Sequence, residues 1–339
     1  MKMEMDASVL ENTGEAKTSI RSGVSPRDHE VVRGSFRARA WLKSHGYPYS
    51  DNVELQASPL RFPDGGNFAV EIPVINTLDV LKGTVAALKE EGIPCTRFNE
   101  THGSILLSDS EIREMLSLCA ESGYGIAFSI GPRPEYDRKA AFYRGKFGLE
   151  QGRRVNNNDA IANSVEEVLR LVDLGCRGVI VYDMGVMRIL SEMRESGNLP
   201  QDLFFKASSH CIVSNPVTAK IWEELGADSV TVLHDVDLVV LQEMRRMTNG
   251  LILDVPIDVY DDKGGFIRYN EIPEIVQVAA PVILKMGASA QVNPYDQVNL
   301  NTVKKRVRRV ALGLEYLERS GIPTKFAAKT APFWCHPSL

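Results

Sequence analysis

The sequence predicts an α/β protein built as a (β/α)8 barrel of the TIM type, and three observations carry that prediction. From Phe68 onward, short apolar runs rich in β-branched residues alternate with stretches of helical periodicity. Such runs suit strands buried on both faces of a parallel sheet. Eight of them occur, which favours a closed barrel over an open sheet. Most lead into a polar or reactive residue: Tyr182 into Asp183, Phe205 into Lys206, Leu233 into His234, Leu253 into Asp254 and Leu284 into Lys285. Barrel enzymes hold their ligands at the carboxyl ends of the strands.

The elements follow in order. A first strand is predicted over 68–75, then a helix capped by Thr77, with Leu78, Val80, Leu81, Val85 and Leu88 on its apolar face and Gly92 as its stop. A second strand over 95–99 leads through Glu100-Thr-His-Gly103 to a helix over 109–122, and a third strand covers 124–130. After a long connection, Val165, Val168, Leu169 and Val172 mark a helix over 164–174. Strand four spans 178–183 with its helix over 184–195, and strand five spans 203–207 with a helix over 215–225 stopped by Gly226. Strand six covers 229–233 with a helix over 236–247, and strand seven covers 251–255 with a helix near 271–279. Strand eight covers 281–286, and a final helix over 303–320 carries a basic run from Lys304 to Arg309.

Residues 1–35 are polar and poor in aromatics, and read as a disordered tail. Residues 36–66, with Trp41, Tyr47, Tyr49 and several prolines and glycines, read as an N-terminal extension that plugs or flanks the barrel bottom. The catalytic barrel is predicted over 67–320, and 321–339 as a C-terminal tail packed on its outside. The long loop after strand three, 131–163, far exceeds the usual connection of about 4–6 residues. Between Arg133 and Asp159 it holds seven basic residues against four acidic ones, which reads either as a lid that steers anions or as a solvated helical face.

Composition limits the function classes. A formal net charge of -5 argues against a nucleic-acid partner. The five cysteines are scattered, with no C-x-x-C pair, which fits a reducing compartment. No apolar run approaches the roughly 18 residues of a membrane span, and the start lacks a signal-peptide core. The expectation is a cytoplasmic protein that acts on a small molecule or short peptide away from membranes, with a homo-oligomer left open.

Candidate chemistry gathers at the strand ends. His102, His210 and His234 fall in predicted strand-end loops, where imidazoles could work as acid and base or, with Asp183 or Asp254, ligate zinc or iron. Metal-site spacing of the H-E-x-x-H kind is absent, so a divalent metal stays open. Lys206 and Lys285 each end an apolar strand. Three readings suit them: a Schiff-base amine, a clamp on an anionic substrate, or an ion pair with a strand-end acid. Glu71 lies inside strand one and faces the barrel interior if Phe68 and Val70 face the helices, so it needs a cationic partner. Asp254 and Asp258 flank the end of strand seven, and the small residues of 285–290 suit backbone amides that hold a phosphate or carboxylate. Asn99, His102, Asp183, Ser208, Asn215 and Asp258 complete a substrate-binding set. Dinucleotide, P-loop and serine-hydrolase motifs do not occur.

The stretch from Lys206-Ala-Ser-Ser-His210 to Asn215-Pro216, the Leu225-Gly-Ala-Asp228 turn and Val230-Thr-Val-Leu-His-Asp-Val-Asp-Leu238 resemble the U32 peptidase-like barrel proteins, over roughly residues 170–290. The resemblance implies a (β/α)8-like catalytic domain with peptidase or hydrolase activity, and in some relatives iron–sulfur clusters that serve RNA or quinone modification. Two departures stand out. The family's Glu-x-Phe-x-His-Gly segment is replaced by Asp254-Val-Pro-Ile-Asp258, and the cluster-binding cysteines are missing, so no iron–sulfur cluster is expected. The leading expectation is a hydrolase of a small anionic peptide or amide, with His210 and His234 as acid and base or metal ligands. Asp254 and Glu71 would orient, and Lys206 and Lys285 would clamp charge. The alternatives are a Schiff-base or metal-dependent carbon–carbon lyase or aldolase, and a non-catalytic barrel acting as a partner subunit.

Overall fold

The protein is represented by a computed structural model, which describes residues 35–51, 54–133, 155–294, 296–328 and 332–339. The expected tail (its residues 1–34) and six of the seven basic residues of the long loop lie outside the described residues. The chain divides into two compact units, residues 1–50 and residues 51–339. In the first, α1 (Phe36–Ser44) carries Trp41, whose ring stacks on His45 at 3.9 Å.

In the second unit eight parallel strands close in sequence order into a barrel. They are β1 (Phe68–Ile72), β2 (Arg97–Asn99), β3 (Gly125–Ser129), β4 (Gly178–Val181), β5 (Phe204–Ala207), β6 (Ser229–Thr231), β7 (Ile252–Pro256) and β8 (Val282–Lys285). Between them run α2 (Leu78–Glu91), α3 (Asp109–Ser122), α4 (Asn158–Asp173), α5 (Met184–Glu195), α6 (Pro216–Glu224), α7 (Leu238–Met247) and α8 (Ile272–Ala279), and α9 (Leu300–Arg319) follows β8. The (β/α)8 prediction matches this architecture. Seven of the eight strands are shorter than the apolar runs, which overhang the ladder at one end or both, and β7 keeps the expected length one residue later. Helix starts were legible where a capping residue marks them. The Thr77 side chain accepts from Val80 N, and Ser108 forms a reciprocal capping box with Glu111. α4 starts earlier than expected because Asn157 caps it through Ala160 N.

Strand alternation sorts the barrel into layers. Phe68, Val70 and Ile72 join the large core between sheet and helices, whereas Ala69 and Glu71 point inward. An apolar cluster inside the barrel is made by Ala69, Ala127, Ile180, Phe204 and Ile283 with Phe62, Ala327, Phe333 and Cys335. Phe62 and Phe333 pack ring to ring at 4.3 Å. The C-terminal segment was expected on the outside, and instead it closes the barrel floor. Ile126 N donates to Cys335 O, and Phe326 forms a parallel bridge with Phe68.

Two glycines make room for it. A Cβ on Gly125 would lie 1.5 Å from Trp334 O, and one on Gly178 would lie 2.6 Å from Cys335 Sγ. Because Gly125 faces backbone, it cannot be relieved by a side-chain shift. Gly125→Val should therefore cost about 1–3 kcal/mol or more in denaturant unfolding. Proteolysis should then clip residues 332–339 in the variant and spare them in the parent protein; equal stability would contradict the plug.

Candidate active site

A fully buried ion cluster occupies the middle of the barrel. Glu71 on β1 receives Lys206 Nζ of β5 at 2.5 and 2.6 Å, Arg97 Nε of β2 at 2.7 Å and Asn99 Nδ2 at 2.6 Å. Asp254 on β7 takes Lys206 Nζ at 2.6 Å, Arg97 Nη2 at 2.8 Å and the Ser229 hydroxyl at 3.2 Å. Arg97 also reaches the plug, donating from Nη1 to Phe333 O at 2.7 Å. The strand register brings these groups to one level, since Glu71 pairs with both Arg97 and Lys285.

Lys285 stands above them, partly exposed, with Nζ 3.8 Å from Glu71 Oε1. Two carboxylates thus face three cations, and the cluster carries an excess positive charge. Burial opposes ionisation of Glu71, yet Lys206 and Arg97 outweigh it and hold its carboxyl far below the usual range. For Lys285, burial and the neighbouring ammonium of Lys206 prevail over the attraction of Glu71 and Asp254, and its pKa falls to about 8. Two amines in one hollow therefore differ in kind. Lys206 is tied to both carboxylates, and Lys285 is the one whose proton is easily lost.

Above the cluster opens a hollow with an enclosed volume of about 70 Å3 that widens toward solvent. Asn99, Lys206, Ser208, His210, His234, Asp258 and Lys285 line it, together with Thr101, Ser129, Arg133, Thr231, Tyr260 and Lys263. Three buried polar atoms on this wall have no hydrogen-bond partner among the described residues: Asn99 Oδ1, Thr231 Oγ1 and Arg133 Nη2. Buried polar atoms are ordinarily paired, so a concentration of orphans in one cavity marks the place of a ligand or bound water.

Of the residues singled out in the sequence, Glu71 and Asp254 lie just beneath the hollow rather than on its wall. His102, Asp183 and Asn215 stand apart from it. Asp183 caps α5 through Val186 N, Asn215 caps α6 through Thr218 N, and the His102 ring lies 3.4 Å from Pro294 O. Asp258 reaches the wall, but its oxygens accept from Gly287 N at 2.7 Å, Ser289 N at 2.9 Å and Ser289 Oγ at 2.5 Å. The amides at 285–290 do hold a carboxylate, and it is the protein's own.

Among the described residues, no three His, Cys, Asp or Glu side chains gather as a metal-binding group, so the donor set does not fit the zinc or iron considered for the histidines. The cysteines give no ligand set either. All five are free, and burial pushes the Cys335 thiol up to about 12. Arg97, Ser129, Thr231 and Tyr260 were missed, and Arg133 was read only as one basic residue of the long loop. Arg97 carried a readable signal: it alternates with Phe98 in a buried strand, as Glu71 does with Val70 and Ile72.

Residues 154–260 match the model of Peptidase family U32. The matched stretch runs from before α4 to the loop after β7, and within it lie Lys206, His210, His234, Asp254 and Asp258. The U32-like likeness read over roughly 170–290 overlaps it up to residue 260, and 261–290 lie beyond the match. Glu71, Arg97 and Lys285 lie outside the match. No curated protein matches the sequence. Among solved structures, the chain is similar to the YdjI aldolase of Escherichia coli, at 13% identity, 75% of this chain, 91% of that chain and a TM-score of 0.42. It is similar to a putative copper homeostasis protein, CutC, of Streptococcus agalactiae at 13% identity, 66% of this chain, 100% of that chain and a TM-score of 0.44. It is also similar to a U32 peptidase at 12% identity, 67% of this chain, 95% of that chain and a TM-score of 0.39. These likenesses are of fold. Among the described residues, no helix is long and apolar enough to cross a membrane.

Removing one partner from a buried ion cluster leaves the others uncompensated, at a cost of about 3–5 kcal/mol. Arg97→Met should lose stability on that scale in denaturant. The contribution of Glu71 is whole above its unfolded pKa near 4.5 and fades as pH falls below it, because the folded-state pKa is lowered. The acid limb of the stability profile should therefore flatten in Arg97→Met, as read by unfolding midpoints between about pH 2 and 6.

Proposed function

We propose that this U32-like barrel protein is an enzyme for a small anionic carbonyl compound, with Lys285 as its reactive amine and carbon–carbon bond cleavage or formation as its reaction class. The observation that carries the reading is the pairing of two lysines over shared carboxylates. Lys206 is fixed between Glu71 and Asp254, and Lys285, on the wall of the hollow, has its pKa lowered to about 8. A neutral lysine adds to a carbonyl carbon. The carbonyl oxygen leaves as water and a protonated imine remains. That cation accepts the electron pair of the bond between the α and β carbons as it breaks and becomes an enamine. A proton added to the enamine carbon regenerates the imine, and addition of water then frees the product and restores the amine. His210 or His234, on the wall of the same hollow, would move the proton from or to the substrate hydroxyl.

A second reading, hydrolysis of a small anionic peptide or amide, is favoured by His210 and His234 lining the same hollow and by the family name of the matched stretch. Either enzyme would work in the cytosol, a reading supported by its five free cysteines.

The two readings separate in one experiment. Cyanoborohydride with a panel of short oxo acids and aldehydes should leave a covalent adduct mapped by peptide mass to Lys285, absent in Lys285→Met. The labelling rate should rise with pH through about 8, as the ammonium gives way to the amine. Stability carries the same sign: between about pH 8 and 10.5 the unfolded chain binds more protons at this position than the folded one. The folded state therefore gains as pH rises across that window, and Lys285→Met should lack the gain. No adduct at Lys285, with amide cleavage that persists in Lys285→Met and is lost in His210→Ala, would replace the amine reading with the hydrolytic one.

A further inference from the structure

We propose that Arg133 is the carboxylate clamp of the hollow, so that the carbonyl substrate is an oxo acid rather than a neutral carbonyl compound. The proposal rests on the reading of Lys285 given above and extends it to substrate class.

Arg133 follows β3, lines the hollow and is only 2% exposed. Its Nε donates to Ile130 O at 3.2 Å, and its guanidinium carbon lies 5.0 Å from the centre of the Tyr182 ring. Its Nη2 is buried with no hydrogen-bond partner among the described residues. A guanidinium cannot shed its charge in a protein, so a buried, unfilled donor on it is costly until an acceptor arrives. The planar fork of an arginine matches a carboxylate better than any neutral oxygen.

Among the described residues Glu100 feels the charge of Arg133, but no carboxylate is hydrogen-bonded to that arginine. Glu71 and Asp254 are committed to Arg97 and Lys206. Glu100 is the nearby carboxyl, but its oxygens accept from His102 N, Gly103 N and Ser129 N, and burial pushes its pKa up to about 7. Asp258 is filled by the amides of Gly287 and Ser289. The backbone that carries Arg133 is also held in place before any ligand binds. Gly131 N donates to Glu167 Oε2 at 2.6 Å, and Gly131 O accepts from Ser164 Oγ at 2.8 Å, both on α4. A charge held this rigidly binds without paying for its own ordering.

The test compares pyruvate, acetoacetate and levulinate with their amides in cyanoborohydride trapping of the full-length protein. In the parent protein, at least one acid should reach half-maximal labelling of Lys285 at a concentration about tenfold or more below its amide. In Arg133→Met that preference should collapse toward unity while labelling by the amide is unchanged, and Arg133→Lys should restore part of it. A general structural role for Arg133 would depress acid and amide together. Equal labelling by acids and amides in the parent protein overturns the clamp even if no variant folds, and leaves the Lys285 amine standing. Absence of any Lys285 adduct, with acids or amides, overturns the amine and the clamp together.

Discussion

The upper half of this barrel depends on one carboxylate shared by two cations. Glu71 receives both the Lys206 ammonium and the Arg97 guanidinium at 0–1% exposure, and Asp254 receives the same pair from the other side. Ion clusters of this kind seldom stabilise a fold, because removing each charge from water costs as much as the pairing returns, and apolar residues of equal volume would serve as well. What the cluster achieves is electrical. It fixes charges of known sign at known places and leaves a surplus of one cation, and the surplus falls on the side chain that reaches the hollow, Lys285. A lysine next to a second ammonium in a dry site loses its proton more readily than one in water. The reactivity assigned to Lys285 thus follows first from its burial and then from the ammonium of Lys206 beside it.

Dryness below the cluster is supplied from far along the chain. The barrel floor is closed by Phe333 and Cys335 against Phe62, Phe204 and Ile283. The Phe333 carbonyl is itself a ligand of Arg97. The C-terminal segment is therefore part of the electrostatic device, since an open floor would admit water to Arg97 and weaken every interaction above it. The small residues Gly125 and Gly178, at the starts of β3 and β4, make sense only with that segment in place.

How much of this was legible in the sequence depended on the range of the interaction involved. Local signals were sound: capping residues, glycine stops and the rhythm of apolar runs located the strands and most helices to within a few residues. Single inward-facing charges were also legible in principle, because period-two alternation decides which face a strand residue takes. That logic found Glu71, and applied to the run Phe98-Asn99 it would have found Arg97. Pairings between strands were not legible, because nothing local says that β2, β5 and β7 meet at one level. Caps misled for the same reason: Asp183 and Asn215 follow strands as catalytic groups do, but each is spent on the first turn of its own helix. The C-terminal plug was missed because its packing is set by shape, and most of its partners lie more than a hundred residues away.

Asp258 narrows the chemistry further. Small residues after the last strand of a barrel commonly present backbone amides to a ligand's anionic group. Here Gly287 N, Ser289 N and Ser289 Oγ are already occupied by the Asp258 carboxylate. A phosphate or carboxylate arriving there would meet a like charge in a filled cradle. On the reading proposed above, anion recognition falls to side chains elsewhere on the wall, where Arg133 after β3 offers an unfilled donor. Moving the anion site from the β8 end of the barrel toward β3 also reverses the direction in which a substrate would lie across the mouth. Its charged end would point to the β3 side and its reactive carbon to β8. In that orientation the amine of Lys285 meets a carbonyl, and the rings of His210 and His234, from the loops after β5 and β6, stand on the wall between the two ends.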